Sequence, residues 1–292
     1  MMDRSIADAF TWACTLDVAV PKPGNVSFAS PGHGMTAAQF IASAQAAAGS
    51  LCEPGATVGR RIEGAVQASW AAAGCNTNLG IVLLCAPIAA AREACATPVS
   101  ATAMQDMLHR VTQGLTVDDA SRAYRAIAHA NPGGLGRAPD QDVAAEPSID
   151  LRAAMALAAD RDRIARQYEQ GFVELFGLGL PTFLRGLGLG LPAAVMGTYL
   201  QWLASGPDSH IVRKHGADLA QTVTAQAAVL CVEWLAQGSP AGSSALSSWD
   251  TQLKTRGINP GTSADLTVAT LFVAACLDPS LVSRSTDGTL VA

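Results

Sequence analysis

Lys22 stands between two prolines and two residues before Gly24, in the run Pro21-Lys22-Pro23-Gly24-Asn25. Prolines fix the backbone and a glycine lets a ligand come close. A lysine on so rigid a loop is a point charge for a phosphate. Four further polar islands interrupt an Ala-, Leu- and Gly-rich sequence: Asn76-Thr77-Asn78-Leu79-Gly80, Asn131-Pro132-Gly133-Gly134-Leu135-Gly136, Asp208 to Gly216, and Asn259-Pro260-Gly261-Thr262-Ser263-Ala264-Asp265. Only 15% of the residues are charged, so such islands stand out. Each falls where a helix should begin or end, and helix N-termini suit anions.

The residue types suggest a division of labour. Lys22, Asn25, Asn76, Thr77, Arg213, Lys214 and Ser263 are the candidate phosphate and ATP ligands. Asp208 and Asp265 are the candidate catalytic carboxylates, and the same two are candidate ligands for Mg²⁺, a hard cation shared with substrate phosphates. Each island also has a plainer explanation. Asn76-Thr77-Asn78 and Asp208 are good helix caps, and Thr262 with Asp265 fits a capping box. Arg213 and Lys214, close behind a helix start at Asp208, would oppose its dipole unless an anion were bound. His33 between Gly32 and Gly34 is a lone loop histidine, and Asp162–Arg166 reads as a solvated pair at i, i+4.

The elements that must carry these groups are helical nearly throughout. Ile6, Phe10 and Cys14 repeat at the helical spacing, as do Val58, Ile62, Val66 and Trp70, and Ile164, Tyr168, Phe172 and Phe176. Capping boxes are expected at Thr36–Gln39 and Thr116–Asp119, and a helix end at Gly74. Asn131 to Pro147 reads as a long loop, followed by a long helix from about Ser148 to Gly177. A turn and broken helix are expected over Gly177 to Gly190. A second long helix should run from Asp208 to near Gly238, followed by a Gly/Ser/Pro loop to Ser244 and a tail over 278–292 with weak strand character at Leu290-Val291. No linker divides the chain, so residues 1–292 read as one all-α globular domain whose polar loops converge on one cleft.

Composition narrows the partners. A formal charge of -5 argues against nucleic acid and anionic membrane surfaces, while leaving room for a local basic pocket. The seven cysteines form no C-x-x-C and most lie in apolar runs, as buried thiols do. The longest apolar stretch, Leu79 to Ala91, is far short of the ~20 residues of a membrane span. The start, with Asp3 and Asp8, lacks the pattern of a signal peptide, so a soluble cytoplasmic protein is expected. Monomer and homodimer both stay open.

Taken in order, these residues resemble the triphosphoribosyl-dephospho-CoA synthase family from Pro21 to about Leu271. The landmarks are Pro21-Lys22-Pro23-Gly24, Gly32-His33-x-Met35, Asn76-Thr77-x-x-Gly80, the Asp208 segment with Arg213 and Gly216, and Pro260-Gly261-x-Ser263-Ala264-Asp265-Leu266. The resemblance implies an all-α fold. It also implies transfer of the triphosphoribosyl part of ATP to the 2′-hydroxyl of 3′-dephospho-CoA with release of adenine, a step in making a prosthetic-group precursor. The chain departs from the family where His-Lys is replaced by Asn78-Leu79 and Asp by Gly34, which marks a divergent branch and leaves the acceptor open. Two rivals stand beside this reading: a related nucleotide-dependent enzyme for a pterin- or furan-type one-carbon carrier, and a non-catalytic helical binding module.

Overall fold

A computed structural model describes residues 4–237 and 244–285. Helices α1 (Arg4–Ala19), α2 (Ala37–Leu51), α3 (Val58–Ala73), α4 (Leu79–Ala94), α5 (Ala101–Gln113) and α6 (Val117–Ala130) form the first half. A nonhelical stretch over 131–150 leads to α7 (Leu151–Ala156), α8 (Arg163–Gln170), a π-helical turn (Leu175–Gly179) and α9 (Leu180–Gly186). The chain continues through a 3₁₀ turn (Leu187–Leu189) to α10 (Leu191–Ala204) and α11 (Ser209–His215). The last helices are α12 (Ala217–Gln237), α13 (Ser244–Thr255), α14 (Gly261–Leu277) and α15 (Ser280–Ser285). No strand occurs among the described residues; one isolated bridge pairs Gly32 with Met35. The all-α expectation holds.

The core is organised on α14, which packs against α1, α4, α9 and α10. A helix that is apolar all round belongs inside a domain. Every residue from Thr262 to Cys276 is buried except Asp265, which is half-buried. Thr267 and Thr270 meet the apolar surroundings by donating to the carbonyls of Ser263 and Leu266, four residues back. Phe10 of α1 meets Phe272 edge to face at 5.8 Å, and the Trp202 indole donates to Thr270 Oγ1 at 3.1 Å. All seven cysteines are free thiols and five are buried. Among the described residues no single helix is long and apolar enough to cross a membrane.

Several helix ends follow the sequence pattern. Both capping boxes form, at Thr36–Gln39 and Thr116–Asp119, and Gly74 closes α3 in the left-handed region. Others do not. The long helix expected over 148–177 is three pieces, because Asp162 caps a fresh start at α8 and Gly171 and Phe172 both take positive φ. The helix expected from Asp208 to Gly238 is broken at Gly216, with φ of 90°. That break puts Arg213 and Lys214 in the last turn of the short α11, where cations suit the dipole. Thr262 and Asp265 do not form a capping box: α14 begins at Gly261, so both lie inside it. Most of the expected Gly238–Ser244 loop and the Leu290-Val291 strand lie outside the described residues.

Candidate active site

A cleft of about 540 Å³ opens between α1, the start of α4, the 131–143 loop, α7, α8, α11 and the start of α14. Asp265 is on its wall and is the only charged residue of α14. Its Oδ2 lies so close to the α4 backbone that a Cβ on Gly80 would be 2.0 Å away, so a residue larger than glycine would displace the carboxylate. Among the described residues no hydrogen bond or ion pair holds Asp265. Burial pushes its carboxyl well above the usual carboxylate range. The charges of Asp17, Asp208 and Asp162 add to the rise, and Arg213 opposes it.

Of the other candidate residues, Asn25, Asn76, Thr77, Arg213 and Lys214 also line the cleft. Asn76 doubles as a cap, its Oδ1 accepting from Leu79 N at 3.2 Å, and Thr77 donates to Ser43 Oγ at 2.6 Å. Arg213 is half-buried and pairs with Asp162 at 2.9 Å, while Lys214 is exposed. Asp162 therefore does not form the solvated pair with Arg166. Its Oδ1 caps α8 and its Oδ2 holds Arg213 at the cleft wall. The 131–136 loop rests on this pair of cations. A Cβ on Gly134, whose φ is 79°, would stand 3.1 Å from the Arg213 carbonyl oxygen, and one on Gly133 would stand 3.3 Å from Lys214 Cε.

Three candidates do not line the cleft. Lys22 is fully buried, its ammonium 3.0 Å from Asp17 Oδ1, bonded to the Asp17 carbonyl and 6.0 Å from the centre of the Tyr199 ring. A cation so enclosed has no face for a phosphate. Its contact with the site runs through Asp17, which does line the cleft. Asp208 and Ser263 are also buried, against each other. Asp208 Oδ1 accepts from the amides of His210 and Ile211 at 2.9 and 3.2 Å. Its Oδ2 accepts from Ser263 N and Oγ at 2.7 and 2.8 Å. Both oxygens are thus committed to backbone and hydroxyl donors, which corrects the expectation of Asp208 as a metal ligand. One carboxylate caps α11 and the first turn of α14 together.

That arrangement carries a stability prediction. Asp208→Ala strips the cap from two helices, at about 1 kcal/mol each, and leaves a buried hydroxyl without its acceptor, at about 1–3 kcal/mol. A loss of roughly 3 kcal/mol is expected by urea denaturation, with Asp208→Asn recovering part of it. An unchanged midpoint for the alanine variant would show that the caps are dispensable.

The sequence reading also passed over groups that the fold brings to the cleft. Asp17, Arg161 and Tyr124 lie there, and Asp162, read only as a solvated partner of Arg166, joins them. His33 was read as a lone loop histidine and His210 only as part of a motif. His33 Nε2 lies 2.8 Å from the Gly24 carbonyl oxygen, whereas His210 Nε2 is buried without a partner. Burial, then Lys214 and Arg213, pull the His210 pKa down to about 3, so its ring is uncharged at neutral pH.

The cleft thus sets an unpartnered carboxylate near two cations and a neutral imidazole, an arrangement suited to a phosphorylated substrate. Comparison with known proteins agrees. The family model of the ATP:dephospho-CoA triphosphoribosyl transferases matches residues 3–283. Among solved structures, a candidate triphosphoribosyl-dephospho-CoA synthase from Archaeoglobus fulgidus shares the fold, with a TM-score of 0.64 at 22% identity over 82% of this chain and 99% of that one. No protein of curated function matches the sequence. With the family pattern running through nearly the whole chain, this protein belongs to the ATP:dephospho-CoA triphosphoribosyl transferase family.

Proposed function

We propose that this transferase works in the cleft walled by Asp265, on ATP as donor and 3′-dephospho-CoA as acceptor. The C1′–N9 bond of ATP breaks and a bond forms between C1′ and the 2′-hydroxyl oxygen of the acceptor. The hydroxyl loses a proton and adenine leaves with one gained. Displacement at a ribose C1′ passes through an oxocarbenium-like state, as glycoside hydrolysis does. The observation that carries the reading is Asp265 itself: a carboxylate in an apolar helix, facing a cleft, with no hydrogen-bond or ion-pair partner for its side chain among the described residues. It is placed to stabilise positive charge at C1′ or to take the hydroxyl proton. Arg213 and Lys214 supply the charge that a triphosphate needs.

Mg²⁺ fits this donor set in one form. It is held by one or two carboxylates together with substrate phosphates. Among the described residues no group of three or more His, Cys, Asp or Glu side chains gathers as an all-protein cage. Asp265, whose ionisation the neighbouring carboxylates oppose, is the residue a cation would relieve, with Asp17 beside it. Mg²⁺ bound there would neutralise phosphate charge. The test is incubation with ATP, Mg²⁺ and 3′-dephospho-CoA, with adenine measured as product. No adenine above the acceptor-free control would overturn the assignment.

The start of α4 is more apolar than the family pattern implies. Leu79 lines the cleft in place of a lysine, and Asn78 is buried with its Nδ2 unpartnered. A lost cation leaves a charged acceptor group without its partner, which costs about 1.5–3 kcal/mol. The kcat/KM for 3′-dephospho-CoA is therefore expected to fall below ~10⁴ M⁻¹s⁻¹, the low end for ordinary enzymes, with a less charged acceptor preferred. A steady-state comparison across acceptors that gives 3′-dephospho-CoA a higher value would show that Leu79 and Asn78 leave the substrate unchanged.

A further inference from the structure

One corner of the cleft is polar, uncharged and unsatisfied. Asn25 is buried, and its Nδ2 donates to Asn259 Oδ1 at 3.2 Å, while its Oδ1 has no partner. Asn259 and His210 meet over Gly261: a Cβ there would stand 3.7 Å from Asn259 Nδ2 and 3.4 Å from His210 Nδ1. His210 Nε2 is the second buried polar atom without a partner. Buried polar groups are almost always paired, and each exception calls for an explanation. Besides Asp17 Oδ1 and Arg213 Nε, these two exceptions sit on cleft residues that flank Asn259, one an acceptor and the other able to donate.

We propose that this corner holds the purine base of the nucleotide donor by its N6/N7 edge, Asn25 Oδ1 accepting from the exocyclic amine and His210 Nε2–H donating to N7. Adenine presents a donor and an acceptor side by side on that edge, the complement of the two orphaned atoms. Guanine presents two acceptors there and would leave Asn25 Oδ1 facing another oxygen. The rest of the nucleotide follows from α11. His210 and Arg213 are three residues apart and share a face, so base and phosphate partners are separated by about one helical turn, ~5 Å. Because burial keeps the imidazole uncharged, it serves as donor without giving up its proton. When the C1′–N9 bond breaks, the electron pair stays on the purine, and the hydrogen bond at N7 stabilises it. This makes His210 a catalytic residue as well as a binding one.

The inference rests on ATP being the donor, and its test separates the two. Calorimetry measures binding of ATP and of 7-deaza-ATP, which lacks only N7, to the full-length protein. The wild type is expected to bind ATP about tenfold more tightly, the worth of one buried hydrogen bond. His210→Ala should bind both ligands equally, at the level of wild type with 7-deaza-ATP. His210→Phe, which keeps the ring volume without a nitrogen, serves if alanine disturbs the circular dichroism spectrum. A wild type that binds both ligands equally overturns the base assignment, as does a folded His210 variant that keeps the preference. A wild type that binds neither overturns the donor reading and this inference with it.

Discussion

Replacing Asp265 with asparagine is expected to lower adenine release by about 10²–10⁴-fold, the usual contribution of a positioned acid–base group, while leaving the protein folded. Asparagine is nearly the same size and cannot ionise. Its effect on stability should also be opposite in sign to that of most core changes. The Asp265 carboxyl titrates near 3.8 in an open chain and well above that in the fold. Between those values the folded protein holds a proton that the unfolded chain has released. Stability therefore falls as pH rises through that window and stays lower above it. In Mg²⁺-free buffer at neutral pH, Asp265→Asn should be at least as stable as the wild type, and the two should converge below pH 3.8. Urea denaturation at both pH values, beside an adenine assay, checks this. A variant that unfolds at neutral pH would mean the carboxylate is structural.

Lys22→Met should give the largest loss of stability. Lys22 and Asp17 are both almost wholly buried, and removing the cation strands the Asp17 carboxylate in the core. Breaking one side of a buried pair costs about 3–5 kcal/mol, whereas replacing both sides together is often near neutral. The Asp17→Asn/Lys22→Met double variant should recover most of the loss. If Lys22 were instead a phosphate ligand, the single variant would keep its denaturation midpoint and lose nucleotide affinity.

These two residues also show what the sequence made legible. Asp265 stood out because it closes a polar island, Asn259 to Asp265, in an otherwise apolar sequence, a local signal. Arg213, Lys214, Asn76, Thr77 and Asn25 were found by the same contrast, and the fold brings them to the cleft. Lys22 had that contrast too, yet its partner is Asp17, an acid inside α1 that belongs to none of the polar islands. The pairing of Asp162 with Arg213 spans 51 residues, and the Asp208–Ser263 contact spans 55. Spacing rules within one helix cannot see such contacts. The Asp162-capped start of α8 lay hidden inside the long helix expected over 148–177, while the capping-box starts at Thr36 and Thr116 were readable. The break after α8 was not, because Phe172 takes a left-handed conformation that its residue type disfavours.

Because a single carboxylate, Asp208, fastens the beginnings of α11 and α14, the two walls that carry Arg213 and Asp265 are tied as one unit. Neither can be re-aimed without dragging the other. The start of α4 and the loops after α1 and α6 face this unit across the cleft, and the loop after α1 is joined to it through Asn25 and Asn259, so new substrate preferences on this scaffold are expected from those segments first. Leu79 lines the cleft there and Gly34 lies in the loop after α1.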